Sequence, residues 1–402
     1  MLKSPHNTSY DVAIVGGGPV GLSVALSLAT LNLKIIVIDK ETESSAKAPV
    51  ISDERALALA PSSVEFFKKV GVWQALQNQV TPIQTVHISE AGNFGAVRLQ
   101  AKDYHLPALG YVVSAEKVNQ VLHTLVNNNA TLLRVCKGTE LIHSELQGRT
   151  WQLTIKKANK LEVVKASLFI GADGTHSSIR QQLGIAVHTI DYQEVALVVN
   201  VYLRHIMKPF IAYERFTAEG IVAILPFGER CVKCVWSLKN AIWVEKKDLT
   251  DTLLIDNLQR LSGKRLGPVV RCGTRSVYPL RAVQSYEVYK NRALLMGNAA
   301  LTLHPVAAQG LNIALRNIDV LTAIFAQAIA VGDDLGSDQV LATYANTIDK
   351  SQNLIGQSTH FLTTVFNSEI QLVKSLRSAS LLMTEFMPAI KKRIIGYGAG
   401  FA

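Results

Sequence analysis

Cysteine is scarce: the 402 residues contain only Cys136, Cys231, Cys234 and Cys272. Four thiols cannot staple a chain of this size, so a disulfide scaffold is excluded and a reducing, cytoplasmic setting is expected. Charge is thin too, at 18% against 48% hydrophobic residues. That balance excludes disorder as the main theme and leaves apolar material for two or three sizeable cores. Arginine-rich runs, zinc-finger spacings and RNA-binding signatures are missing, so no nucleic-acid partner is expected. No repeat and no low-complexity linker divides the chain. Cys231 and Cys234 form a C-x-x-C without a second such pair, inside "CVKCVWSL", which reads as a strand; neither a metal site nor thioredoxin-type chemistry is expected of them.

The charge that is present leans one way. A net charge of +10 implies an acidic partner, either a phosphate-bearing cofactor or an anionic membrane surface. From Val12 to Ile38 Lys34 is the one charged residue, yet glycines and a proline interrupt the stretch and no basic region precedes it. It reads as strand, turn, helix and strand rather than as a membrane span or signal peptide. "YDVAIV" (10–15) is β-branched, "PVGLSVALSLATLNL" (19–33) has the spacing of a buried helix, and "KIIVID" (34–39) is a second strand. A right-handed crossover then makes the two strands parallel, adjacent and buried on both faces.

Farther along, 83–101 and 150–170 alternate apolar and polar residues, and 195–245 holds β runs such as "EVALVVNVYL" and "RCVKCVWSL". These predict an antiparallel sheet inserted into the parallel one. After 310 helical spacing returns, first in "IALRNIDVLTAIFAQAIA" and then along a tail from about 338 to 395.

The first strand ends in "GGGPVG", which sets Gly16, Gly18 and Gly21 in G-x-G-x-x-G spacing before a helix. The first glycine permits the turn, the second admits a pyrophosphate to the backbone, and the third lets the helix pack closely. Asp39 ends the second strand eighteen residues after Gly21, beside Lys40, where an acid accepts hydrogen bonds from an adenosine ribose. NAD and FAD both suit this unit. Two more strands end in glycine-bearing turns: "LFIGADGTHSSIR" (168–180), with Asp173, Ser177 and Arg180, and "RALLMGNAALTLHPVAAQGLN" (292–312). Three such loops suit a long, extended dinucleotide bound outside the carboxyl ends of the strands.

The conjunction of GGGPVG, "ERALAL" (54–59), GADGTHSSIR and GNAALTLHPVAAQGLN resembles the FAD-dependent aromatic hydroxylases of the para-hydroxybenzoate hydroxylase type, over about residues 10–345. "AYERFTAEGIVAILPF" (212–227), "VWS" (235–237) and "YPLR" (278–281) resemble its ubiquinone-biosynthesis branch, nearest to the 2-polyprenyl-6-methoxyphenol hydroxylases. The resemblance implies an α/β fold with a Rossmann-like FAD-binding domain (1–82, 102–185 and 271–345), an inserted antiparallel-sheet substrate domain (83–101 and 186–270), and a helical C-terminal region (346–402).

It also implies roles. Gly16, Gly18 and Gly21 would hold the pyrophosphate, Asp39 the ribose, Arg55 the phosphates or the flavin side, and Asp173 the flavin and reduced nicotinamide, with Ser177 and Arg180 supporting its loop. Gly297 and Asn298 would hold the ribityl chain, and Gly310, Leu311 and Asn312 would set a helix N-terminus against the flavin pyrimidine. Asn298 replaces the usual acid and can still accept through its amide oxygen. Ala307 stands where many relatives have glycine, which departs from the pattern. Pro305 would face the phenol, and His304 can relay its proton or simply bond its own loop.

No second G-x-G-x-x-G is present, so NAD(P)H would bind transiently as reductant, with O2 as co-substrate. The expected substrate is a lipid-soluble polyprenyl phenol, hydroxylated para to its hydroxyl. From 371 to 402 Lys374, Arg377, Lys391, Lys392 and Arg393 stand against the single acid Glu385 among apolar residues. This composition suits peripheral contact with the inner membrane face, a complex with other ubiquinone-pathway enzymes, or ordinary packing onto the flavin domain. The alternatives to para hydroxylation are attack at another ring carbon, reduction of an isoprenoid, and a non-catalytic role in a quinone-synthesising complex.

Overall fold

The computed structural model describes residues 9–42, 56–93, 95–205, 208–263, 265–303, 309–349 and 396. Strand β1 (Ser9–Val15), helix α1 (Pro19–Ala29) and strand β2 (Ile35–Asp39) form the expected βαβ unit. β1 and β2 pair in parallel, with Val12 against Ile35 and Val15 against Ile38. Every residue of β2 is buried, as a strand covered on both faces must be. Pro19 opens α1, where its missing N–H costs nothing, and the helix is buried on nearly all sides, so its hydrophobicity is continuous rather than striped.

This unit is the centre of an eight-stranded sheet. β1 pairs in parallel with the end of the strand Lys160–Gly171, which pairs in parallel with Ala293–Leu295, and Leu133–Lys137 lies parallel to β2 on the other side. A second eight-stranded sheet, largely antiparallel, contains Thr85–Glu90, Ala96–Gln100, Val187–Leu203, Ile211–Thr217, Gly220–Pro226, Cys231–Lys239, Val269–Ser285 and Leu301–Thr302. A three-stranded sheet of Ala56–Leu59, Gly110–Ser114 and Thr81–Ile83 sits between them in sequence and packs its Ile83 and Val112 with Ala212 of the second sheet.

Two sequence expectations are corrected here. Residues 150–170 do not join the inserted sheet: Thr150–Lys157 pairs antiparallel with the first part of Lys160–Gly171, whose last part runs beside β1. One strand thus serves an exposed hairpin at one end and a buried parallel core at the other, so its alternation is local. The boundary at 271 cuts the strand Val269–Ser285, which pairs with Val187–Leu203 from Leu203↔Val269 to Val187↔Ser285. Residues 271–285 therefore belong with the second sheet. The thiols behave as expected of a strand: Cys234 is fully buried and its pKa is pushed far up by burial, so no reactive thiolate forms there.

The helix Gln309–Val331 is long and apolar enough to cross a membrane by length and composition. Its Leu315, Ile318, Leu321 and Phe325 are instead wholly buried against α1 and the rest of the first core. Its first turns are fixed by Asn312, 3% exposed, whose Oδ1 accepts from Ala60 N (2.8 Å) and Ser63 Oγ (2.7 Å) while Nδ2 donates to Ala58 O (2.9 Å). Asn312→Ala strands two buried partners and one half-buried one and is expected to cost about 2–4 kcal/mol in urea unfolding; a cost under about 0.5 kcal/mol would show that this anchor carries no stability.

Candidate active site

The site begins with a register. Val15, Gly171 and Leu295 are direct neighbours across three parallel strands, and Ile38 lies beside Val15 on the fourth. Four chains therefore leave the sheet at one level, and the residues that follow are brought together by pairing alone. Backbone bonds carry the row one step beyond the strands: Gly16 N donates to Ile38 O (2.9 Å), Ala172 N to Val15 O (2.7 Å) and Met296 N to Gly171 O (2.9 Å).

Only glycine fits at the tightest points. Gly16 has φ +110°, and a Cβ there would lie 2.3 Å from Ala172 O. A Cβ on Gly21 would lie 1.9 Å from Gly16 O, so α1 can start against the turn only because that atom is missing. The Cβ position of Gly18 is open and the residue is exposed, leaving backbone N–H groups and the helix N-terminus facing outward. Asp39 is buried, its Oδ1 accepting from Glu41 N (3.2 Å) and its Oδ2 pressed against Gly17, whose Cβ would come within 2.3 Å. It is thereby held beside the glycine turn.

The second loop is braced from within. Asp173 Oδ2 accepts from Ser178 N (2.7 Å), Ser178 Oγ (3.0 Å) and Ile179 N (3.2 Å), while Oδ1 is buried without a protein partner. Such an orphan acceptor is rare, and it marks where a ligand donor belongs. Ser177 Oγ caps the short helix after it by accepting from Arg180 N (3.0 Å). Arg180, 6% exposed, donates to Thr175 O and to Ala299 O, both at 2.9 Å, tying the second loop to the third. In the third loop Gly297 follows the buried Met296, and exposed Asn298 directs its Oδ1 to within 4.0 Å of the Cβ position of Gly310.

Gly16, Gly18, Gly21, Asp39, Asp173, Gly297, Asn298 and Gly310 are thus brought to the strand-end face. Three expected residues are not equally placed. Lys40 is exposed beyond the end of β2. Leu311 packs against the first core. The side chain of Asn312 is spent on Ala58, Ala60 and Ser63, so only backbone of that helix start is available to a cofactor. Arg55, His304, Pro305 and Ala307 lie outside the described residues, as does the basic tail from 371 apart from residue 396.

The sequence reading missed Glu214. It lies on Ile211–Thr217 between Ala212 and Phe216, so it shares their face of the second sheet, the one packed toward the three-stranded sheet. Burial pushes its pKa up to about 7, so the carboxyl can hold or release a proton near neutrality. An acid between two buried apolar positions of an alternating strand was the available signal. Lys233, 1% exposed, sets its ammonium 5.4 Å from the Phe227 ring.

Three level, glycine-bearing loops at the ends of parallel strands are the arrangement that suits an extended dinucleotide such as FAD. The chain belongs to the FAD binding domain family, which matches residues 9–352. It is 30% identical to "Ubiquinone hydroxylase UbiL" of Rhodospirillum rubrum, across 97% of this chain and 89% of that one. It is 27% identical to "3-demethoxyubiquinol 3-hydroxylase" of Escherichia coli, across 98% and 99%. The solved p-nitrophenol 4-monooxygenase PnpA of Pseudomonas putida superimposes with a TM-score of 0.79 at 15% identity, across 96% and 97%. The chain is an FAD-dependent monooxygenase, and its residues fit the cofactor: the glycine cradle, the open space over Gly18 and the orphan Asp173 Oδ1 are features that FAD would use.

Glu214 also sets a pH dependence. Its pKa is raised on folding, so its contribution to stability is fully present below the unfolded value near 4.5 and is lost as pH rises through about 7. Urea unfolding at about pH 4.5 and about pH 8 should show Glu214→Gln gaining on wild type by about 3 kcal/mol between the two. Parallel pH profiles for the two proteins would mean that the carboxyl is solvated.

Proposed function

We propose that this monooxygenase hydroxylates a polyprenylated phenol in ubiquinone biosynthesis, taking 2-polyprenyl-6-methoxyphenol and attacking it para to the hydroxyl. The observation that carries this reading is full-length similarity to relatives named ubiquinone hydroxylases, combined with a strand-end face able to clasp FAD. One of those relatives is named for hydroxylation at ring position 3, which supports attack at another ring carbon as the second reading.

Bound FAD, reduced by NAD(P)H, supplies the oxygen-transfer chemistry. The chain supplies placement. The Gly16–Gly21 turn and the start of α1 would hold the pyrophosphate, Asp39 the ribose, Asp173 a donor on the flavin side, and Gly297 with Asn298 the ribityl hydroxyls. His304 and Pro305 would meet the phenol; removing its proton during attack makes the ring a better nucleophile. The inserted sheet would exclude water from that encounter. The apolar tail of the substrate lives in a bilayer, so the basic residues of 371–402 are assigned to peripheral contact with the inner membrane face or with a neighbouring pathway enzyme.

Deleting the gene in its host and identifying the accumulating quinone precursor by mass spectrometry tests the substrate. The precursor expected to accumulate is 2-polyprenyl-6-methoxyphenol. A precursor lacking a different ring oxygen transfers the assignment to the second reading, and unchanged quinone content removes both.

The ribityl role of Asn298 has its own test. Asn298→Asp should keep FAD, whereas Asn298→Ala should weaken it by about 1–3 kcal/mol in a fluorescence titration. Equal affinity of the alanine variant and wild type would refute that role.

A further inference from the structure

The face of the second sheet opposite Glu214 bears a cleft of about 300 Å³ that the reaction above does not use, lined by Thr85, His87, Arg98, Lys208, Tyr213 and Arg265. Strand pairing builds its floor: Tyr213, His87 and Arg98 lie in one row across Ile211–Thr217, Thr85–Glu90 and Ala96–Gln100. The His87 and Tyr213 rings are 5.6 Å apart, and the Arg265 guanidinium stands 6.0 Å over Tyr213. Arg215, two residues beyond Tyr213, shares its face. A Cβ on Gly263 would lie 2.7 Å from Arg265 Nη1 and 3.2 Å from Arg215 Nη2, so the two guanidinium groups crowd one spot.

Like charges gathered this closely repel. Among the described residues no carboxylate forms an ion pair with Lys208, Arg215 or Arg265. Inside the cluster His87, 9% exposed, has its Nδ1 buried without a hydrogen-bond partner, and Arg215 Nε is likewise unpartnered. Burial, then Arg265, Arg98 and Arg215, push the His87 pKa down to about 4, so the imidazole remains neutral in the cationic surroundings. Cations without a counter-charge and a buried, unsatisfied ring nitrogen in one cleft are the features of a site that lacks its anion.

We propose that this cleft is a second, non-catalytic binding site for a phosphate-bearing group, either a phospholipid headgroup or a soluble phosphoester. Charge count and shape favour phosphate over a carboxylate. Lys208 and Arg265 in the lining, with Arg215 beside them, exceed what one carboxylate neutralises, and guanidinium forks match the several oxygens of a phosphate. The hydroxyls of Thr85 and Tyr213 line the same cleft and can donate to further oxygens. Ala212, which alternates with Tyr213, packs toward the three-stranded sheet, so the cleft lies on the opposite face of the second sheet.

The test uses FAD-saturated full-length protein, so that the flavin's own phosphate cradle is filled. Glycerol 3-phosphate is titrated by calorimetry in one arm; in the other, sedimentation measures binding to phosphatidylcholine vesicles with and without phosphatidylglycerol. Wild type is compared with an Arg98→Gln, Arg265→Gln double variant, and with Lys208→Gln at the cleft should the double variant misfold. Saturable binding weakened at least about tenfold by the substitutions is expected, since a lost charge-assisted hydrogen bond is worth about that much. Binding in the soluble arm identifies a free phosphoester, and substitution-sensitive binding confined to anionic vesicles identifies a lipid headgroup. No saturable binding in either arm, or binding that the substitutions leave unchanged, overturns the proposal.

Discussion

Parallel pairing in register is the constraint on which the molecule depends. Because Val15, Gly171 and Leu295 are level, three sequence-distant loops leave the sheet at one height, and no side-chain contact is needed to assemble them. The glycines are a consequence of that level exit. A loop leaving beside another at strand spacing has room for backbone only, and Gly16 meets the carbonyl of Ala172 where any side chain would strike it. The glycine-lined face is therefore the geometric result of a sheet whose strands end together, with the helix α1 packed as near as Gly21 permits.

The loops are also coupled to the second sheet. The segment after Asn298 enters it directly: Ser285 N donates to Ala300 O (2.9 Å), and Leu301–Thr302 pairs with the end of Val269–Ser285. Arg180 bonds both Thr175 O and Ala299 O, while Thr175 and Thr302 hydroxyls meet at 3.0 Å. A buried guanidinium bonded to two backbone carbonyls is a directional staple, and misplacing either loop would leave it unsatisfied. The strand-end loops and the second sheet are thus linked by polar contacts of fixed geometry rather than by apolar packing, which tolerates sliding.

Much of this was legible in the sequence where function writes local signals. The βαβ unit, the glycine spacing, Asp39 and the three glycine-bearing strand ends need only neighbours along the chain to be recognised. What was illegible depended on partners far away. Residues 150–170 alternate like an inserted-sheet strand, yet the partner of their last part is β1, which lies over a hundred residues earlier. Residues 271–285 look like the approach to the third loop but pair throughout with Val187–Leu203. Asn312 sits in a cofactor motif and spends its amide on Ala58, Ala60 and Ser63, because a helix start packed against another strand needs its polar groups satisfied. Glu214 passed as one charge in a strand; its perturbation comes from burial, which spacing does not report.

The second sheet turns these readings into an electrostatic division. On one face burial raises the Glu214 pKa to about 7. On the other, burial and arginines lower that of His87 to about 4. The two residues stand on adjacent paired strands, His87 opposite Tyr213 and Glu214 opposite Ile88, so the pleat alone sends them to opposite sides. Burial disfavours the charged form of both, which raises the pKa of the acid and lowers that of the imidazole. The Glu214 face also carries buried Lys233, which pairs with Leu225, and buried Glu90, which pairs with Phe216. The other face gathers Arg98, Arg215 and Arg265 around His87. A one-residue slip between these two strands would put an arginine on the face packed toward the three-stranded sheet, so the separation of the faces depends on register as the level loops do.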